Sequence, residues 1–245
     1  MRYCLALPAV LLLVAPLSAD VIYDSNGFED PPFVFGPLNG QDGWYGEGGG
    51  GGCEPCVVGA PNPVIDNQAV RLEVPDTGGA YSYMDMAFPD ILAQGYTQVT
   101  VSYDIYRQTD NWISNLWWWW FDAGEPTYGL QWDEGGPGPG GTYPFGWSGA
   151  GPSVPTILDR WANLLMVWDF TTNVADGYYD GVYVGSVNIS GITTLTGWAI
   201  QLGHDEGTGS GPDVAWIDNF VITAIPEPGT LSLLGLGLLG LLRRR

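Results

Sequence analysis

The chain of 245 residues contains no lysine, and four of its seven arginines (Arg2, Arg243, Arg244 and Arg245) sit at its ends. Between them, residues 20–225 keep only Arg71, Arg107 and Arg160 against 26 of the 27 acidic residues, a net charge near −23. Phosphate backbones are bound by Lys and Arg that neutralise their charge. Nucleic acid is therefore excluded as a partner, and anionic membranes suit this stretch no better. Neutral glycans and divalent cations remain.

Other absences exclude chemistry. There is one histidine, His204, beside Asp205 and Glu206 in a Gly-rich turn, and no Gly-x-Ser-x-Gly elbow, so a nucleophilic Ser triad lacks support. Asp133 and Glu134 are adjacent, and neighbours on a strand face opposite sides, so they do not suggest an acid and base pair. No catalytic residue is expected. Of the three cysteines, Cys53 and Cys56 are the only pair beyond the N-terminal segment. A four-thiolate zinc site would need a second pair, and a redox motif a thioredoxin-like context. In an exported chain the expected state is a Cys53–Cys56 disulfide. Few stretches have helical periodicity, and 37 Gly with 19 Pro exclude a helical bundle.

What is present begins with the ends. Residues 1–19 place Arg2 before an apolar stretch from Cys4 to Leu17, with small residues at Ser18 and Ala19. This is the layout of a secretory signal peptide cut after Ala19. The apolar run is short for a bilayer span of roughly 20 residues, and Cys4 lies too early for a lipid-modified cysteine. At the other end, Pro226, Glu227 and Pro228 form a stiff segment that refuses helix. A Leu/Gly-rich run from Thr230 to Leu242 follows, then Arg243, Arg244 and Arg245. A short hydrophobic helix with a basic, cytoplasm-retained stop is expected there.

The order Pro-Glu-Pro, short Leu/Gly helix, terminal Arg cluster resembles the PEP-CTERM sorting signal. That resemblance implies a Gram-negative bacterium making extracellular polysaccharide. It also implies a membrane-embedded cysteine transpeptidase (exosortase) that cuts near Pro226–Pro228. The body would touch the membrane only through this tail, before processing, and would then reside at the cell surface or in the matrix.

Between the ends, period-two runs bounded by Gly, Pro, Asn and Asp recur. Strands are expected at 69–74, 80–88, 98–107, 112–121, 128–132, 161–169, 174–179, 182–187, 197–203 and 214–223, with one helical turn within 89–95. Asp180-Gly181 is the turn chemistry of a tight hairpin. Ten antiparallel strands in one domain, residues 20–225, predict an all-β, two-sheet jelly-roll sandwich. Gly-rich segments 46–52 and 135–155 are expected as long surface loops. The segments SNGFED (25–30) with LNGQDGW (38–44), RWANLLMVWDF to DGVYVG (160–185) and VAWIDNFVIT (214–223) resemble the concanavalin A-like, laminin-G-like jelly rolls. That family hosts binders, enzymes and structural modules alike.

Two constellations stand out. Trp112 is followed by Trp117, Trp118, Trp119 and Trp120, then Phe121 and Asp122. Alternation puts Trp118 and Trp120 on one face and Trp117, Trp119 and Phe121 on the other. One set can fill the core. The other can also be buried, or can offer rings on which a sugar stacks while Asp122 and nearby amides bind its hydroxyls. The second is a calcium set implied by the jelly-roll resemblance: Asn26 and Glu29 at the opening strand and Asp218 at the closing one. Calcium takes 6–8 hard oxygen ligands; the alternative is a solvated acidic edge. The function expected is a non-catalytic glycan-binding or matrix-organising module. A purely structural envelope protein and a polysaccharide-degrading enzyme stay open as alternatives.

Overall fold

The computed structural model describes residues 18–61, 67–75, 78–107, 157, 159–203 and 212–227, together with the backbone of 114–122, 125–132, 142–144, 153–155 and 204. The signal peptide up to Leu17, Trp112, the Asp133–Glu134 and Asp205–Glu206 pairs, and the tail from Pro228 onward lie outside the described residues.

The strands are β1 (Asp20–Asp24), β2 (Gly36–Pro37), β3 (Trp44–Gly49), β4 (Cys56–Gly59), β5 (Gln68–Val74), β6 (Ala80–Ala87), β7 (Tyr96–Arg107) and β8 (Ser114–Asp122). They continue with β9 (Glu125–Trp132), β10 (Thr142–Pro144), β11 (Ser153–Pro155), β12 (Trp161–Asp169), β13 (Val174–Tyr179), β14 (Val182–Asn188), β15 (Gly197–His204) and β16 (Asp213–Pro226). Nine of them form one sheet in the order β14-β13-β12-β7-β16-β5-β4-β2, with β1 added to β16. Five form the facing sheet, β3-β6-β15-β8-β9, and β10 pairs β11 in a separate ribbon. All pairings are antiparallel. The chain is an all-β two-sheet sandwich of jelly-roll type.

Alternation along each strand decides which side chains fill the space between the sheets. In β6, Ala80, Ser82, Met84 and Met86 are buried; in β12 the buried set is Ala162, Leu164, Met166 and Trp168. Aromatic edges join the sheets across the core. Trp168 of β12 meets Trp198 of β15 in a T-shaped contact at 5.7 Å, and Trp44 of β3 meets Phe220 of β16 at 5.2 Å.

Two expected features hold in detail. β12 and β13 occupy the anticipated spans, and Asp180 and Gly181 both take positive φ, 48° and 77°, as a tight hairpin of right-handed strands requires. The helical turn is a single 3-10 turn, Leu92–Gln94. The glycine run differs from expectation. Gly46, Gly48 and Gly49 belong to β3 rather than to a surface loop, and the chain then doubles back tightly. A β-carbon on Gly48 would collide with the backbone of Gly52 and Cys53, and one on Gly52 with the carbonyl of Tyr81. Only glycine permits these backbone approaches.

Candidate functional site: the outer face of the five-stranded sheet

Strand β6 turns Tyr81, Tyr83 and Asp85 away from the core, and β3 does the same with Tyr45 and Glu47. Register then aligns them. Tyr45 lies opposite Asp85, Glu47 opposite Tyr83 and Gly49 opposite Tyr81. On the other edge of β6, β15 brings Ala199 opposite Asp85 and Gln201 opposite Tyr83. β8 follows with Trp119 opposite Ala199 and Trp117 opposite Gln201, and β9 with Tyr128 opposite Trp119 and Gln131 opposite Trp117. Two rows therefore cross all five strands on one face: Tyr45, Asp85, Ala199, Trp119, Tyr128, and Glu47, Tyr83, Gln201, Trp117, Gln131. The middle strand places only Ala199, Gln201 and Gly203 in these rows and the next, between two aromatic strands.

The tyrosines and carboxylates are bonded to each other. Tyr45 donates its hydroxyl to Glu47 Oε2 at 2.7 Å, and Tyr81 donates to Glu47 Oε1 at 3.3 Å. The hydrogen bond to Glu47 pushes the Tyr45 phenol above its ordinary range, and the Glu47 charge does the same to Tyr81. Burial, with a hydrogen bond to Asp85, holds the Tyr83 phenol well above that range. Burial also raises the Asp85 carboxyl, and Glu47 nearby adds to this while the Tyr83 hydroxyl opposes it. Rings that stack on the apolar faces of sugars, beside oriented carboxylates and an amide that bind hydroxyls, form a surface suited to a glycan.

Of the tryptophans singled out in the sequence, Trp117 and Trp119 share this face by register. Trp118 and Trp120 sit opposite Ile200 and Trp198, both fully buried core residues, and so hold inner-face positions. Asp122 ends β8 opposite Glu125 and has the inner-face parity of Trp118 and Trp120, outside the two rows. Tyr45, Glu47, Tyr81, Tyr83, Asp85 and Gln201 were not anticipated. The alternation of Tyr81, Tyr83 and Asp85 within one strand was the signal available in the sequence.

The expected calcium residues occupy the junction of the opening loop with β16. That junction is made by Ser25, whose Oγ accepts from Phe220 N–H and whose own N–H donates to Phe220 O, both at 2.9 Å. Glu29 Oε1 accepts the backbone N–H groups of Asn67 and Gln68, at 2.8 and 2.6 Å. Asn26 donates its backbone N–H to Asp24 Oδ1. Asp218 is fully buried on the outer face of the nine-stranded sheet, opposite Asp104, and its Oδ1 accepts from Asn219 N–H. Asp104 in turn accepts from Asn163 and Asn219 side chains. Asn219 takes φ 51°, and this bulge lets Ile217 and Phe220 both face the core. Among the described residues, no group of three His, Cys, Asp or Glu side chains converges on an ion-sized space.

Cys53 and Cys56, expected as a disulfide, are separate thiols in this structure. Cys56 donates its S–H to Glu54 O at 3.2 Å, and burial pushes that thiol upward in pKa. Here the chain crosses between sheets, held at Cys53 from both sides. Cys53 N–H donates to Glu73 O of β5, and Cys53 O accepts from the Ser82 hydroxyl of β6.

Comparison with known proteins gives two kinds of likeness. Residues 224–245 match the PEP-CTERM protein-sorting motif. No curated protein matches the chain in sequence. Among solved structures, lectin II from Ulex europaeus superposes with a TM-score of 0.53 at 9% identity, over 84% of this chain and 99% of the lectin. The carbohydrate esterase vb_24B_21 from Shiga toxin-encoding bacteriophage phi24B gives 0.53 at 11% identity, with the same coverage. A sialidase gives 0.54 at 12%, over 74% of this chain but 17% of its own much longer one. These likenesses establish the jelly-roll fold. The sorting motif supports export toward the surface or the extracellular space and implies processing by an exosortase-type partner. The chain thus carries a PEP-CTERM protein-sorting motif at residues 224–245, behind a body with a jelly-roll fold.

Proposed function

We propose that the body is a non-catalytic, glycan-binding module of the extracellular matrix, working through the outer face of its five-stranded sheet. The observation that carries this reading is the pair of cross-strand rows in which Tyr45, Tyr83, Trp117 and Trp119 alternate with Glu47, Asp85 and Gln201. Glu47 and Asp85 repel uronate or sulfate polymers, so the ligand class is a neutral or amine-bearing polysaccharide. Sorting fits this role. In a Gram-negative host the tail would anchor the chain transiently in the inner membrane, and the released body would meet matrix polysaccharide outside. Affinity electrophoresis of residues 20–227 through neutral, amine-bearing and uronate polysaccharides tests it. Retardation by a neutral or amine-bearing polymer, lost in Trp119→Ala with the fold intact, is expected; mobility unchanged by every polymer would leave a purely structural matrix protein.

A second reading rests on Glu47 and Asp85. They are diagonal neighbours on one face, positions roughly 7–8 Å apart in antiparallel sheets, and burial favours the protonated form of Asp85. Glycosidases use two carboxyls with such unequal environments as acid and base. New reducing ends released from a polysaccharide by the body, and abolished in Asp85→Asn, would establish this reading over the first. Calcium at the Ser25–Phe220 junction is an accessory part of the proposal. A thermal midpoint lowered by chelator would support it, and an unchanged one would remove it.

A further inference from the structure

The sorting motif begins inside the sheet. β16 runs through Pro226 without a break from the core, with Ile225 opposite Gln98 and Pro226 opposite Tyr96 on β7. Glu227 then donates its N–H to Gly95 O at 2.9 Å. On its other edge the same strand pairs with β1, Thr223 opposite Val21 and Ala224 opposite Asp20. Tyr96 ties this corner together by donating its hydroxyl to Asp20 Oδ2 at 2.9 Å. The backbone is therefore paired on both edges as far as Ala224 and on one edge as far as Glu227. No spacer separates the folded body from its processing signal.

Cleavage concentrates where the backbone is neither buried nor hydrogen-bonded. Recognition of an extended segment also needs its backbone groups free to pair with the partner. The first condition fails from Asp213 to Glu227 while the body is folded, and the second fails as far as Ala224. The apolar run of the tail begins at Thr230, so the peptide bonds that lie past the last paired residue and before the run are few. Of these, the bond from Glu227 to Pro228 still has the paired Glu227 on its acyl side. Two remain, Pro228–Gly229 and Gly229–Thr230.

We infer that the exosortase-type partner cuts this chain at Pro228–Gly229 or Gly229–Thr230, on the folded body, so that the released protein keeps Pro226, Glu227 and Pro228. The partner's cysteine sulfur bonds the carbonyl carbon of Pro228 or Gly229 as the C–N bond breaks. The thiol proton passes to the nitrogen of Gly229 or Thr230, which leaves with the tail as an amine. Water, or an amine or hydroxyl acceptor, then takes the acyl group from the thioester and returns the thiol. The placement also orients the precursor. Asp20, at the predicted signal-peptide cut, and Ala224 are register partners, so both export tethers leave from one corner of the sheet.

The test is the C-terminus of the released body, recovered from a host that carries the peptidase and digested with a protease that cuts before Asp. The terminal peptide starts at Asp218, and its fragment-ion series is expected to end at Pro228 or Gly229, bare or carrying an acceptor. An end at or before Glu227, or at or beyond Thr230, would overturn the assignment. Amide exchange on the same sample checks its premise: Glu227 N–H is expected to be protected, and exchange at the rate of an unpaired amide would remove the argument. Neither readout depends on glycan binding.

Discussion

The ring of Tyr81 occupies the space that a β-carbon on Gly49 would need. Gly49 lies directly opposite Tyr81 in the β3–β6 ladder, and the same tyrosine donates to Glu47. A glycine that looks like loop filler in the sequence thus sets where a site tyrosine stands. Gly49→Ala forces the ring aside, and since the ring is the far end of a side chain on the outer face, the expected cost is about 1 kcal/mol, chiefly the lost bond to Glu47. In a domain of this size each kcal/mol lowers the thermal midpoint by about 2–4 °C. Gly59→Ala is the control, since its β-carbon would meet only Asn67 O at 4.0 Å, and it should leave the midpoint within about 0.5 kcal/mol of the parent. Equal midpoints for the two variants would refute the close-packed ladder.

Asp85 makes a prediction in pH. Burial, and the Glu47 charge beside it, raise its pKa in the folded state above the ordinary Asp value of about 3.9. The folded state then holds the proton more tightly than the unfolded one. Asp85 therefore weakens the fold above its folded pKa, and that penalty fades as pH falls through the folded value toward the unfolded one. Replacing it with Asn removes the charge and keeps an acceptor for Tyr83. Asp85→Asn is expected to be more stable than the parent at pH 7, with the difference shrinking toward pH 4. Denaturant midpoints at the two pH values check this; an advantage that grows on acidification has the wrong sign.

The tryptophan run separates into two experiments. Trp118 and Trp120 are in register with Ile200 and Trp198, both core residues. Truncating either to Ala is expected to cost about 3–5 kcal/mol. Trp117 and Trp119 share the face of Tyr83 and Asp85. Their Ala variants should keep the parent's unfolding midpoint within about 1 kcal/mol and lose retardation in polysaccharide gels. Were Trp119→Ala to unfold the body as readily as Trp120→Ala, both faces of β8 would be core and the binding proposal would lose its main support.

How much of this was legible before the fold was known depends on the strand. β12 and β13 declare themselves, because regular alternation around Trp161–Asp169 and an Asp-Gly turn are local signals. β3 does not. Three of its six residues are Gly, which has little strand preference, and the strand exists because β6 pairs with it and a returning backbone packs against it. The jelly-roll class and the two possible faces of the tryptophan run followed from period two. The choice between those faces, and the meeting of Tyr45, Glu47, Tyr83 and Asp85, depended on register between strands distant in sequence, which no local pattern encodes. The calcium residues show the converse: Ser25 and Phe220 bring the expected segments together, while Glu29 turns to the Asn67 and Gln68 amides.

That junction supplies the last prediction. Ser25 is fully buried, and its Oγ is the acceptor for the Phe220 N–H, at the bulge where β16 changes register. Ser25→Ala keeps the backbone bond from Ser25 N–H to Phe220 O but leaves the Phe220 donor without its partner. A buried donor stripped of its acceptor costs about 1–3 kcal/mol, and the loss should appear in the unfolding midpoint with or without calcium. Ser25→Thr keeps the hydroxyl and, if the extra methyl is accommodated, should recover most of it. A Ser25→Ala body as stable as the parent would mean that the opening loop is held by something other than this bond. A penalty present only when calcium is supplied would instead place the ion, not the hydroxyl, at the centre of the junction.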